Sequence, residues 1–326
     1  MKCNDNTNHP ESNKDDCLMT KSLNLLQGPG VNGLYQTAAP LSWEYDEHSE
    51  TTTYVLGKDY TLHIRGCPAK EPGVPPLKPE NYKLFDSLVC KLGDNPKSRQ
   101  VELPLEEFLR LAGYAVTSTN KDAVRPRLKE NVALLGALSA DWREENGRYS
   151  HHDVKFFDMI TYRHSRVYAC FSERMALYLR DGCSAMPLPL SLLAISGKSP
   201  HSYSLGRRCL VYSAANKGRE WQPIRVENLL TVCPRIPRPK PQEKWTPSFL
   251  ERNVIVPFTT AMNSLAACGI FTWKFREPVC CGDYEGFTNS VVEFRLPDSL
   301  VPTPPVETNT KCMWSRVDTD WFLGLR

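Results

Sequence analysis

Two places in this sequence bring together side chains that could make or break covalent bonds. Ser150-His151-His152-Asp153, followed by Tyr162, offers imidazoles, a carboxylate and a phenol. Some enzymes that nick DNA hold a metal between two histidines that alternate along a strand and attack with a tyrosine. Adjacent histidines on a strand point to opposite faces, so His151 and His152 do not grip one ion. Cys280-Cys281-Gly282-Asp283 offers two thiols, but the sequence places no base beside them and no partner at zinc spacing; it is expected to be a wing-tip turn. No Gly-rich loop ending in Lys-Ser/Thr is present to cradle a phosphate. The sequence is therefore expected to carry no catalytic residue, no metal and no cofactor.

The remaining chemistry is recognition. Arginine can give guanine O6 and N7 two hydrogen bonds, and asparagine can do the same for adenine. Candidate base readers fall in two groups: Arg125, Arg127, Lys129 and Asn131, then Asn253, Thr259, Thr260 and Asn263.

The second group needs helices to hold it. Thr246 is a candidate N-cap with Pro247 at the first helical position, and Val256-Pro257 repeats that start signal, which predicts two abutting helices. Phe258, Met262, Leu265 and Cys268 form the buried stripe of the second, leaving Thr259, Thr260 and Asn263 on a small, polar, uncharged face. Gly269 ends it, and Ile270, Thr272, Lys274 and Arg276 follow as a strand. The expected layout is helix-turn-helix followed by a β-wing.

The first group sits in a similar arrangement. Pro104 to Leu111 predicts a short helix closed by Gly113, and a second helix is predicted to start at Pro126, with Leu128, Val132, Leu135 and Leu138 as its stripe. Trp142-Arg143 then parallels Trp273-Lys274, and Glu145-Asn146-Gly147-Arg148 predicts a hairpin turn into a strand over Val154 to Tyr162. Two such units make an internal repeat of pattern rather than of identity.

These residues carry a resemblance. NYKLFDSLVCKL, LPLEEFLRLAGY, LPLSLLAISGKSPHSYSLGRRCLVYSAAN and NSLAACGIFTWKF make the chain from about residue 80 onward similar to the plasmid replication initiators of the RepA/RepE type. The resemblance implies an α+β fold of two tandem winged-helix domains, binding to repeated origin sequences, and a dimer that represses its own gene alongside a monomer that opens DNA. It also implies helicase-loading or other replisome proteins as partners.

Three segments are expected. Residues 1–79 form an acidic extension with short strands, including a hairpin over Tyr54 to Ile64, and a Pro-rich linker. Residues 80–184 form the first winged-helix domain, opened by a helix over Asn81 to Leu92. Residues 185–326 form the second, with helices over Ser202 to Asn216 and Arg225 to Cys233. From Met1 to Glu80 there are seven Lys and Arg against eleven Asp and Glu, whereas from Lys198 to Arg252 there are eleven against four. Clustered cations neutralise phosphates, so Arg207, Arg208, Arg235, Arg238 and Lys240 are expected phosphate contacts, with Arg143, Arg148, Lys274 and Arg276 serving the wings. No run of about eighteen apolar residues exists and the first residues lack a signal-peptide core, so no membrane contact and a cytoplasmic location are expected. The twelve cysteines are scattered and predict reduced core thiols rather than disulfides. A transcription regulator and a winged-helix adaptor without specific DNA binding are the alternatives.

Overall fold

The structure is a computed structural model that describes residues 22–35, 42–66, 76–95, 97–144, 149–196, 201–216, 219–233, 235–239, 243–279 and 282–300. It begins with strand β1 (Ser22–Gln27) and a buried helical turn, α1 (Pro29–Asn32). An antiparallel meander follows: β2 (Ser42–Asp46), β3 (Thr51–Gly57) and β4 (Tyr60–Arg65). Tyr54 and Leu56, then Tyr60, Leu62 and Ile64, alternate into the core, as the period of two predicts for a half-buried hairpin.

The first unit opens with α2 (Pro79–Asp94), where Pro79 costs no hydrogen bond at the first helical position and the Asn81 side chain accepts from the Lys78 N–H at 2.8 Å. Tyr82, Phe85, Leu88, Val89 and Leu92 form its buried stripe. Next come β5 (Gln100–Pro104), α3 (Leu105–Leu111) and α4 (Ser118–Gly136). At the end of α3, Tyr114 N–H reaches Leu109 O (2.8 Å) and Gly113 N–H reaches Arg110 O (3.2 Å). This is a Schellman closure, and it needs Gly113 at φ 78°. Helix α4 does not start at Pro126 as expected. Thr117 caps it by accepting from Asn120 N, and Pro126 lies inside it. The cap supplies the missing start signal, and one lost backbone bond is offset by Val124, Leu128, Val132 and Leu135, which are all buried.

After α4 the chain departs from the expected wing. Strands β6 (Leu138–Arg143) and β7 (Ser150–Lys155) leave the unit: β6 pairs with β4, giving the order β2-β3-β4-β6-β7. The predicted turn at 145–148 lies outside the described residues. The predicted strand over 154–162 is two strands in two sheets, separated at Phe156. Strands β8 (Phe157–Arg163) and β9 (Arg166–Phe171) return to the unit, whose sheet order is β5-β9-β8. The wing is thus β8–β9, turning through His164 (φ 49°) and Ser165 (φ 58°), a left-handed pair typical of two-residue hairpins.

The passage to the second unit runs through α5 (Glu173–Leu177), a π-helical turn (Tyr178–Gly182), β10 (Ser184–Pro189) and α6 (Leu190–Leu193). Strand β10 pairs antiparallel with β1, Ser22 opposite Pro189 and Gln27 opposite Ser184. Then follow α7 (Ser202–Ala215), β11 (Gln222–Arg225) and α8 (Val226–Leu230). The next stretch is one continuous helix: α9 (Pro247–Leu250), a π-helical turn (Glu251–Ile255) and α10 (Val256–Ala267). Thr246 caps it as expected, its side chain accepting from Phe249 N. The expected turn before Pro257 is absent, because the wider π turn accommodates a residue without an N–H and the helix carries on. The helix that precedes it in the chain is α8, which ends at Leu230. A Schellman closure at Gly269 (φ 67°) ends α10, with Ile270 N–H on Leu265 O at 3.1 Å. Strand β12 (Thr272–Phe275), α11 (Tyr284–Asn289) and β13 (Val291–Arg295) complete the unit, with sheet order β11-β13-β12.

The fold is α+β, and the two units share one plan. Each runs helix, strand, helix, long helix and two strands, and in each the last strand lies between the other two. That is the winged-helix arrangement. The first unit carries the β6–β7 hairpin as an insertion between its long helix and wing; the second carries α11 inside its wing. Among the described residues no helix is long and apolar enough to cross a membrane.

A buried polar network joins the units. Asp86 of α2, fully buried, accepts from Tyr35 (2.5 Å), Tyr203 (2.6 Å) and Arg207 Nε (3.0 Å). Arg207 also donates to Asn32 Oδ1 at 3.0 Å and lies 3.6 Å over the Tyr35 ring. Burial alone would discharge Arg207, but the Asp86 carboxylate and the two phenols more than offset it and raise its pKa above the ordinary value. Nearby, Lys83 donates to Ile195 O at 2.6 Å, and burial pulls its ammonium down to about 8.

Candidate nucleic-acid interface

In each unit the third helix packs one face inward and turns the other outward. Phe258, Ala261, Met262 and Leu265 anchor α10 in the core. Opposite them on the 3.6-residue turn stand Val256, Thr260, Asn263 and Ala267, all exposed. The face is small and uncharged as expected but not wholly polar: Val256, which the sequence reading did not select, at 49% exposure, and Ala267 stand on it beside Thr260 and Asn263, while Thr259 lies on its flank. The signal for Val256 was its position one turn before Thr260.

The hydrogen bonds sort what that face can offer. The hydroxyl of Thr259 donates to Ile255 O (2.8 Å), one turn back, so Thr259 lies on the flank with its polar group satisfied. Asn253 donates its amide to Phe249 O at 2.9 Å within its own helix. Asn263 Oδ1 accepts from Trp273 Nε1 of β12 at 3.1 Å, which ties the helix to its wing and orients the amide.

On the wing, Lys274 and Arg276 flank Glu293 of β13, at 3.5 and 2.9 Å. The Arg276 hydrogen bond, with Lys274 helping, holds the Glu293 carboxyl below its ordinary range. Lys274 Nζ also stands 4.7 Å from the centroid of the Trp221 ring. The two cations are exposed and pointed by this carboxylate, which also cancels part of their field.

In the first unit the four predicted readers do not share a face. Arg125 and Lys129 lie four residues apart on one side of α4, and Arg127 and Asn131 on another, roughly 200° around the helix. Asn131 accepts from Asn81 Nδ2 of α2 at 3.1 Å and is half-buried, so its job is to dock helix on helix. Arg125 pairs with Asp122 at 3.1 Å, whereas Arg127 and Lys129 are exposed. The outward face is led by Asp122, Pro126 and Glu130, two of them acidic.

The predicted phosphate contacts divide. Arg207 and Arg208 are buried, at 2% and 8% exposure, and so are removed from any phosphate; α7 lies between the two units and is buried on every side from Ser202 to Ser213. Arg235 and Arg238 are exposed on the loop after α8, with Arg238 donating to Leu230 O at 3.3 Å. Arg143 sits on β6, in the five-stranded sheet rather than the wing, 4.0 Å from Asp59. Arg148 and Lys240 lie outside the described residues, as do Cys280 and Cys281. His151 stacks on Trp142 (4.5 Å between rings) and reaches Glu144 at 3.1 Å, while His152 is exposed. Among the described residues no group of three or more His, Cys, Asp or Glu is placed to hold a metal.

The first wing carries cations that the sequence reading passed over. Arg163 lies 5.0 Å over the Tyr168 ring, and Arg166 pairs with Glu102 across β5. They bracket the turn at His164-Ser165, and the string Arg163-His164-Ser165-Arg166 between two apolar-alternating strands was the available signal.

No family model matches the chain, and no curated protein does. Among solved structures, the chain is similar to a Pi initiator protein crystallised in complex with iteron DNA: 15% identity, 68% of this chain and 92% of that one, TM-score 0.47. It is also similar to domains 2–3 of RctB, at 11% identity over 82% of this chain and 97% of that one (TM-score 0.40). A selenomethionine structure of the same two RctB domains gives 10% identity over 81% and 98%, with a TM-score of 0.46.

Proposed function

We propose that this protein is a sequence-specific binder of double-stranded DNA that acts as a replication initiator, setting two winged-helix units on repeated origin sequences. The single observation that carries the DNA reading is the outward face of α10. It is the long third helix of a three-stranded winged unit, uncharged along its exposed face, with the wing cations Lys274 and Arg276 beside it. An uncharged face suits base edges, and flanking cations suit phosphates. The initiator role, binding to repeats and self-repression rest on the sequence resemblance. Asp122 and Glu130 on the outward face of α4 disfavour phosphate there, so the first unit meets the duplex through its wing cations Arg163 and Arg166 and is also the better seat for self-association and for replisome partners.

The test is footprinting of the purified protein on the DNA upstream of its own coding region, against a scrambled duplex at two salt concentrations. Protected repeats of about two turns, with binding that weakens steeply as salt rises, are expected. Equal affinity for the scrambled duplex would leave the adaptor reading in its place.

A further inference from the structure

We infer that the outward face of α10 selects thymine, through contact with its 5-methyl group. The inference rests on the DNA-binding function proposed above and adds the base that the second unit reads.

The groups on that face decide the matter. Val256 and Thr260 present methyl groups at the surface, one turn apart, and Ala267 adds a third two turns further on. The neighbouring hydroxyls are engaged with the backbone, Thr259 on Ile255 O and Ser264 on Thr260 O at 2.9 Å. Asn263 has its oxygen on the Trp273 indole, which leaves its amide nitrogen as the donor to offer outward. The nearest charges on the helix, Glu251 and Arg252, belong to the π turn before Val256. The face therefore carries the methyl groups of Val256, Thr260 and Ala267, the Thr260 hydroxyl and the Asn263 amide.

Each base edge in the major groove asks for a different partner. Guanine is met best by a cation spanning O6 and N7, and cytosine by an acceptor for its amino group. The described face has no cation, and its one free acceptor, the Thr260 hydroxyl, serves a donor or an acceptor edge alike and so does not single out cytosine. Adenine wants an amide free to turn both its oxygen and its nitrogen onto the base edge, whereas the bond from Trp273 fixes the Asn263 amide and shares its oxygen. Thymine offers a methyl group beside the O4 acceptor, which is the complement of what Val256, Thr260 and Asn263 present.

The reading also explains why Val256 is where it is. A β-branched residue directly before a proline is poorly suited to a helix, and a half-exposed valine gains little from burial in the folded chain. Contact with a thymine methyl would complete its burial.

The experiment starts from a site selected out of random duplexes by the full-length chain. Each thymine of that site is then replaced by deoxyuridine, which differs only in lacking the methyl group. Replacement at one or two positions is expected to weaken binding about fourfold each, the worth of one apolar group returned to water. Val256→Ser, which removes both methyl groups, is expected to bind the thymine duplex and the duplex with uracil at the position Val256 covers alike; because Val256 is exposed, its thermal stability should match the parent. If the uracil duplex binds as tightly as the thymine duplex while scrambled DNA is rejected, the thymine inference fails and DNA binding stands. If no sequence is enriched over the random pool, both fail together.

Discussion

At the scale of single residues, the buried charges decide most. Asp86 and Arg207 are out of reach of water, and three donors converge on one carboxylate. Such a pair gains little over an apolar pair of the same size, yet loses heavily when halved. Asp86→Ala strands a guanidinium in the core and should cost about 3–5 kcal/mol in urea unfolding. The double replacement Asp86→Leu with Arg207→Met should cost much less than the two single changes together, which a double-mutant cycle reads directly. His201 supplies a pH dependence. Burial, with the Arg235 charge adding to it, pulls its imidazole down to about 4 from an ordinary 6.5. A group depressed on folding contributes stability that is full above the unfolded value and is lost as pH falls through the folded one. Stability should therefore decline between pH 6.5 and pH 4 by up to about 3 kcal/mol from this residue, and His201→Gln should flatten that part of the curve. Arg207 also shows where local pattern reading stops. It stands in the sequence beside Arg208 in a basic stretch, and its partner Asp86 is 121 positions away. Nothing nearby marks it as buried.

At the scale of elements, the stripes were legible and the breaks were not. Leu105, Phe108 and Leu109 closing at Gly113, and Phe258, Met262 and Leu265 closing at Gly269, follow from helical period and positive φ alone. The prolines misled because each carries two meanings: at the first position of a helix it starts one, and inside it only removes a bond. Pro126 and Pro257 are of the second kind, the first held by the packing of α4 and the second by the π turn before it, neither of which the sequence displays. The wing of the first unit was missed for a related reason. His164 and Ser165 take the left-handed turn that Asn-Gly would advertise. The second wing supports a prediction of its own. Glu293 holds both Lys274 and Arg276, so Glu293→Gln should free them for phosphate. Affinity for any duplex should rise at low salt, the slope of log Kd against log salt should steepen by about one, and selectivity over scrambled DNA should fall. A titration of binding across salt concentrations measures all three.

At the scale of the whole molecule, the repeat of two winged units was legible as pattern, whereas their joining was not. Sheet partners lie far apart in sequence: Leu62 of β4 stands opposite Ala140 of β6, and β1 opposite β10. The acidic extension, by composition a separate arm, in fact puts Leu25, Val31, Leu34 and Tyr35 into the shared core. Tyr35 is the piece that closes the contact between units, since it bonds Asp86 and covers the Arg207 guanidinium. Two winged units tied through such a core should unfold together, and calorimetry of the full chain should give one transition whose calorimetric and van't Hoff enthalpies agree. Tyr35→Ala removes the lid over Arg207 and one of the three donors to Asp86, leaving each unit's own stripe of core residues intact. The variant should melt in two steps, the lower one matching loss of the contact between units. It should still bind DNA through the second unit, but with a footprint shortened to about one turn, because the first unit's wing is no longer held in register on the duplex. A variant that melts in one step and keeps the full footprint would place the coupling elsewhere, in the β1–β10 ladder, where Leu25→Asp would then be the change that separates the units.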